Sequence, residues 1–219
     1  MTTRFTDELR LKAGDQWNRI IHHRFTKELA AGTIDRQTVM KRYLIQDHRF
    51  LDSFSVLLAS IIAHLPTLQD RIPGAQFLAV ITGPENTYFE RAFQALGISN
   101  QERHNTPDAA VTTKICALMR NVAMNGTLAE MLAVITVCEW SYLSWGQLVF
   151  HETKRDDFVT YEWVDLHSGD DFERVVEYFR LHLDREGAML DEAGRIACEN
   201  RFLEAVQLEE EFFEYAYGD

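Results

Sequence analysis

Three polar residues lie where helical spacing would put core side chains, and each is of a type that does chemistry. Cys138 sits in LAVITVCEWSYLSWG, residues 132–146, with Val134 and Ile135 one turn behind it and Ser141 and Tyr142 one turn ahead. Asp47 has Tyr43 four residues before it and Phe50 and Leu51 three and four after. Glu209 has Ala205 and Val206 behind it and Phe212 and Phe213 ahead. Residues three and four apart share a helix face, so all three polar groups point with an apolar stripe. Burying an unpaired charge is expensive, so such positions are either hydrogen-bonded within the core or kept for a ligand.

A thiol is a nucleophile, a buried carboxyl with a raised pKa donates protons, and an ionised carboxylate grips an amine. Each residue also has a plainer reading. A lone cysteine in an apolar helix packs as a small hydrophobe, and no local Cys/His spacing supplies Cys138 with a base. Asp47 can simply hydrogen-bond a neighbouring helix. Glu209 stands beside Glu210, Glu211 and Glu214, in the kind of acidic run that usually faces water. Cys116 and Cys198 carry no motif and are assigned to the core. With no CxxC and an odd count, the cysteines suggest neither a disulfide framework nor a zinc site. The eight histidines form no Glu-x-x-His pair, so no metal is expected, and His23 beside Phe25 reads as a structural helix-end residue.

Helices must position these groups. Tyr43, Asp47, Phe50, Phe54, Leu57 and Ile61 recur at intervals of three and four, marking one long helix within 35–63. The preceding GTIDRQT predicts a turn near 32–35 and hence a helix hairpin. Further helices are expected near 5–30, 74–97, 108–124, 127–152, 157–166, 170–187 and 190–216, with GISNQERHNTPD and HSGDD as separators. The segment 127–150 is apolar on almost every side, with Glu130, Glu139 and Gln147 as exceptions. It is expected to be enclosed by other helices. No strand pattern, repeat or linker emerges, so the expectation is an all-α multi-helix bundle forming a single domain over 1–219.

The net charge of −12 and the scatter of 22 Lys and Arg among 34 acids disfavour nucleic acid as a partner. The N-terminal stretch lacks a signal peptide's apolar core, and no run reaches the ~18 apolar residues of a membrane span. A soluble cytoplasmic protein with no membrane partner is expected.

Four segments together resemble the TenA/THI-4 family, whose enzymatic members are thiaminase II or aminopyrimidine aminohydrolase. They are WNRIIHHRFTKELAAGTIDRQTVMKRYLIQDHRFLDSF, GTLAEMLAVITVCEWSYLSWG, YEWVDLHSGDDF and LEEEFFEYAY, in the family's order and across nearly the whole chain. The resemblance implies the haem oxygenase-like bundle, a homotetramer and no cofactor. The implied activity is hydrolysis of 4-amino-5-aminomethyl-2-methylpyrimidine, or of thiamin, to hydroxymethylpyrimidine in thiamin salvage. Carried over, Cys138 matches the nucleophile, Glu209 the acid that meets a ring nitrogen, and Asp47 the residue that holds the aminopyrimidine, expected to stay ionised. Tyr142 is a candidate pocket residue, equally well read as a core aromatic.

The chain departs from the family where tyrosines are usual. Phe50, Ile115 and His167 stand at those positions, and Glu139 follows Cys138 where an aromatic is frequent. Phe50 keeps a stacking face, Ile115 loses ring and hydroxyl, and His167 changes shape with a possible charge. A different small heterocycle, turned over or only bound, is therefore the alternative. An oxygenase-like relative on the same fold is a further one, disfavoured by the lack of a His/Glu ligand set.

Overall fold

In the computed structural model, residues 3–218 are described. Among them every regular element is helical, and the buried apolar side chains form one continuous cluster. No helix there is long and apolar enough to cross a membrane.

Helix α1 spans Phe5–Ile21 and α2 spans Arg24–Ala31. The expected single helix over 5–30 is thus two. The break falls at His23, whose Nδ1 accepts the Phe25 N–H at 3.1 Å and caps α2, while its Nε2 lies 3.1 Å from Glu214. Gly32 ends α2 with φ +61°, a conformation open to glycine at little cost. Asp35 then accepts the N–H groups of Gln37 and Thr38, both at 2.9 Å, and starts a π-helical turn, Arg36–Met40, that runs into α3, Lys41–His64. The hairpin signalled by GTIDRQT is therefore built by a left-handed stop and an acidic cap.

The stretch expected as one helix over 74–97 differs most. Helix α4 begins earlier, at Leu68, where Thr67 caps the Asp70 N–H, and continues through Pro73 to Val80. The Tyr178 hydroxyl donates to the Asp70 carbonyl at 2.9 Å, a tertiary contact beside the proline that local propensity does not include. A second π-helical turn, Ile81–Glu85, then precedes α5, Asn86–Ala95. The separator after it holds a short helix α6, Asn100–Asn105, capped by Ser99. Ser99 and Glu102 have the spacing of a helix-start signature.

Helices α7 (Ala110–Asn125), α8 (Leu128–Val149), α9 (Phe158–Leu166), α10 (Asp170–Gly187) and α11 (Glu192–Tyr217) complete the chain. Helix α8 is central. It packs against α1, α3, α10 and α11, and its residues 131–143 are buried without interruption. Glu130, an exception in its apolar pattern, forms a reciprocal capping box with Thr127.

Candidate active site

One cavity lies between α3, the π turn before α5, α8 and α9, enclosing about 400 Å³ including its mouth. Asp47 and Phe50 reach it from α3, Cys138, Glu139 and Tyr142 from α8, and Trp163 and His167 from α9 and its C-cap. Six residues marked in the sequence thus share a wall although they lie up to 120 positions apart. Glu209, 2% exposed on α11, stands behind Cys138. Ile115 is placed elsewhere: it is 1% exposed in the core on α7 and forms no part of the wall.

Local structure explains these placements. On α8 the spacing of Cys138 and Tyr142 puts both toward the cavity. The Tyr142 hydroxyl lies 2.7 Å from that of buried Tyr43, which ties α8 to α3. Helix α9 is held by α5: Tyr88 donates its hydroxyl to the Val159 carbonyl at 2.6 Å and stacks on Trp163 at 5.1 Å. At the end of α9 the His167 Nδ1 lies 2.7 Å from the Trp163 carbonyl. A carbonyl can only accept, so Nδ1 carries the hydrogen and Nε2 is left as an acceptor. Gly146 lets this turn approach α8, since a Cβ there would stand 2.3 Å from the His167 carbonyl oxygen.

Burial dominates the electrostatics. His167 is lowered to about 4 because its charged form is desolvated, so the charge that the sequence left possible at this position is absent near neutral pH. Burial raises Glu209 to about 7, with a partly offsetting interaction from the Cys138 thiol. Desolvation first, then Glu209 and Glu139, push the Cys138 thiol well above its ordinary 9.0, so it is an S–H group at rest. Asp47 also rises well above 3.8, through burial and then the charges of Glu85 and Glu209. The expectation of an ionised Asp47 therefore holds only opposite a cation; the surrounding protein favours the neutral acid.

Glu85 is the ionisable wall residue that the sequence did not mark; Leu51, Phe54, Phe77, Ile81 and Trp163 join the wall as apolar lining. It closes the π turn Ile81–Glu85, and burial raises it to about 8. Gly83-Pro84 inside a helical run was the available signal, because such pairs mark departures from regular winding and π turns gather at functional sites.

The arrangement can do addition–elimination chemistry on a flat heterocycle. Phe50, Tyr142 and Trp163 offer ring faces, Cys138 a sulfur nucleophile, and Glu209 a proton near pH 7. Among the described residues no three His, Cys, Asp or Glu side chains are grouped to hold a metal ion.

Comparison with known proteins agrees with this architecture. The profile of the TENA/THI-4/PQQC family matches residues 11–219. An aminopyrimidine aminohydrolase of Halalkalibacterium halodurans is 26% identical over 216 residues, covering 98% of this chain and 96% of that protein. The solved structure of a TenA homologue from Pyrococcus furiosus superposes with a TM-score of 0.87 at 22% identity, over 97% of this chain and 100% of the other. Haem oxygenase-1 from the cyanobacterium Synechocystis superposes at 0.61 with 17% identity, over 99% and 93% of the two chains. The fold is thus the haem oxygenase-like all-α bundle, and its matched span includes the helices that bring Asp47 and Cys138 to the cavity and Glu209 behind Cys138. The chain belongs to the TENA/THI-4/PQQC family.

Proposed function

We propose that this protein is a cysteine-dependent aminopyrimidine hydrolase, acting on 4-amino-5-aminomethyl-2-methylpyrimidine or thiamin and releasing hydroxymethylpyrimidine. The observation that carries the reading is Cys138 on the wall of an aromatic cavity with the Glu209 carboxyl against its thiol. The curated relative in Halalkalibacterium, aligned over almost its full length, bears the name of this activity.

A neutral pyrimidine is a poor electrophile. Glu209 gives its proton to a ring nitrogen, the Cys138 sulfur bonds to the adjacent ring carbon, and the thiol proton passes to the Glu209 carboxylate. Glu209 thus ends the step as it began, protonated. Aromaticity is broken, and the electron-rich adduct expels the side-chain amine with its bonding pair, leaving an exocyclic methylene. Water adds to that carbon and releases a proton to solvent, the sulfur departs with its bonding pair and regains a proton passed by Glu209 from the ring nitrogen, and the neutral thiol and aromatic ring are restored. Asp47, ionised opposite the substrate, holds the exocyclic amine, and Phe50 and Tyr142 keep the ring in plane. No cofactor takes part in this scheme, and the protein is read as a cytoplasmic homotetramer, a state that light scattering on the purified chain checks.

The deciding experiment is mass spectrometry of purified protein with each compound, beside Cys138→Ala. Hydroxymethylpyrimidine formed by the wild type and not by the variant is the expected result. Equal turnover by the variant would remove Cys138 from the mechanism, and no turnover by folded wild type would remove both substrates in favour of another heterocycle.

A further inference from the structure

Two acids of the wall have no task in that scheme. Glu139 follows Cys138 on α8 and is 9% exposed; Glu85 closes the π turn before α5 and is half-buried. Neither carboxyl has a hydrogen-bond or ion-pair partner among the described residues, and the described wall contains no Lys or Arg. Phe77, Ile81 and Glu85 recur every four residues on this wall. A regular α-helix would carry such a series round by about 40° per step. The wider π turn counters that drift and keeps Glu85 on the cavity.

We propose that Glu85 and Glu139 form an anionic subsite for a protonated amine on the substrate, so that the pocket selects heterocycles bearing an N–H cation. The inference rests on the reading of this cavity as the substrate site. Burial favours the protonated acids in the empty pocket, and a bound ammonium favours the ionised pair: two carboxylates are then acceptor-only, and its three N–H donors and positive charge satisfy them in a wall without cations. After burial, the charge of Glu85 also disfavours ionisation of Glu139, a conflict that a bound cation relieves. A metal ion does not fit, because the described acids are not grouped as a ligand set. A ring cation lacking N–H, such as a thiazolium, supplies charge without donors and leaves the acceptors unpaired.

The test is calorimetric titration of wild type, Glu85→Gln, Glu139→Gln and the double variant with two pairs of ligands. One pair is the aminomethylpyrimidine and its hydroxymethyl counterpart; the other is benzylamine and benzyl alcohol. Each pair keeps the ring and exchanges ammonium for hydroxyl. The expected result is amine binding about 10- to 100-fold tighter than alcohol in wild type, falling toward parity in the variants while alcohol affinity changes less than twofold. Equal affinity within both pairs in wild type overturns the subsite without any variant having to fold. An amine preference that survives both substitutions also overturns it. If neither pyrimidine binds but benzylamine is selected and the selection needs Glu85 and Glu139, the subsite stands and the aminopyrimidine reading falls.

Discussion

The side chains at the cavity differ less in type than in what surrounds them. Four acids, Asp47, Glu85, Glu139 and Glu209, are raised by burial, but only Glu209 lies against the thiol. That neighbour is the ground for the proton-donor role proposed for it, and its value of about 7 poises it for neutral pH. Glu209→Gln keeps the volume and removes the titrating proton, so kcat for the aminomethylpyrimidine is expected to drop by about 10²–10⁴-fold. In wild type, kcat at saturating substrate falls as the pH rises through about 7, because the acid form is the active one. A pH–kcat profile checks both: a flat wild-type profile from pH 6 to 8 would take the proton-donor role away from Glu209. The three flagged polar residues were legible because each interrupts an apolar stripe. Glu85 was not, since its orientation depends on a π turn whose winding the helical period does not describe.

Elements fix the geometry that the residues exploit. Helix α8 begins at the Thr127–Glu130 capping box, far from the chemistry, and passes Gly146 where the His167 turn packs against it. These two features predict different behaviour. Thr127→Ala loses a cap and is expected to lower stability by about 1 kcal/mol with turnover per folded molecule unchanged. Gly146→Ala forces a methyl into the His167 carbonyl, so a loss of about 1–3 kcal/mol is expected together with a raised KM, because His167 and Trp163 move with the turn. Thermal melts and steady-state kinetics on the two variants separate the effects. A Gly146→Ala protein with wild-type Tm and KM would show that α9 yields freely. The boundaries of α8 and of the hairpin at 32–35 were readable because caps and a left-handed glycine are local. The split of 5–30 at His23 and the passage of α4 through Pro73 were not, since the contacts His23 to Glu214 and Tyr178 to Asp70 span more than a hundred positions.

Across the whole molecule, the buried acids couple folding to pH. Glu209 and Glu85 keep their protons up to about 7 and about 8 in the folded chain, against an ordinary 4.5. The folded state therefore binds more protons than the unfolded one between those values, and stability falls as pH rises. His167, lowered to about 4 from 6.5, acts oppositely below pH 6.5, where the unfolded chain binds the extra proton. Between pH 6.5 and 8 the acids act without that opposition. Urea unfolding is expected to give a lower midpoint at pH 8 than at pH 6.5, with a smaller difference in Glu85→Gln. Equal midpoints in wild type would mean that water reaches these carboxyls freely.

The sequence by itself determined the all-α class, the hairpin, the enclosure of α8 and the polar positions Asp47, Cys138 and Glu209, because helical periodicity and caps act over a few residues. The tertiary structure alone decided that Ile115 is core rather than wall, that His167 stays neutral, and that Glu85 joins Glu139 in the same cavity. Those outcomes depend on desolvation and on which distant helices meet, and neither quantity is a property of neighbours along the chain.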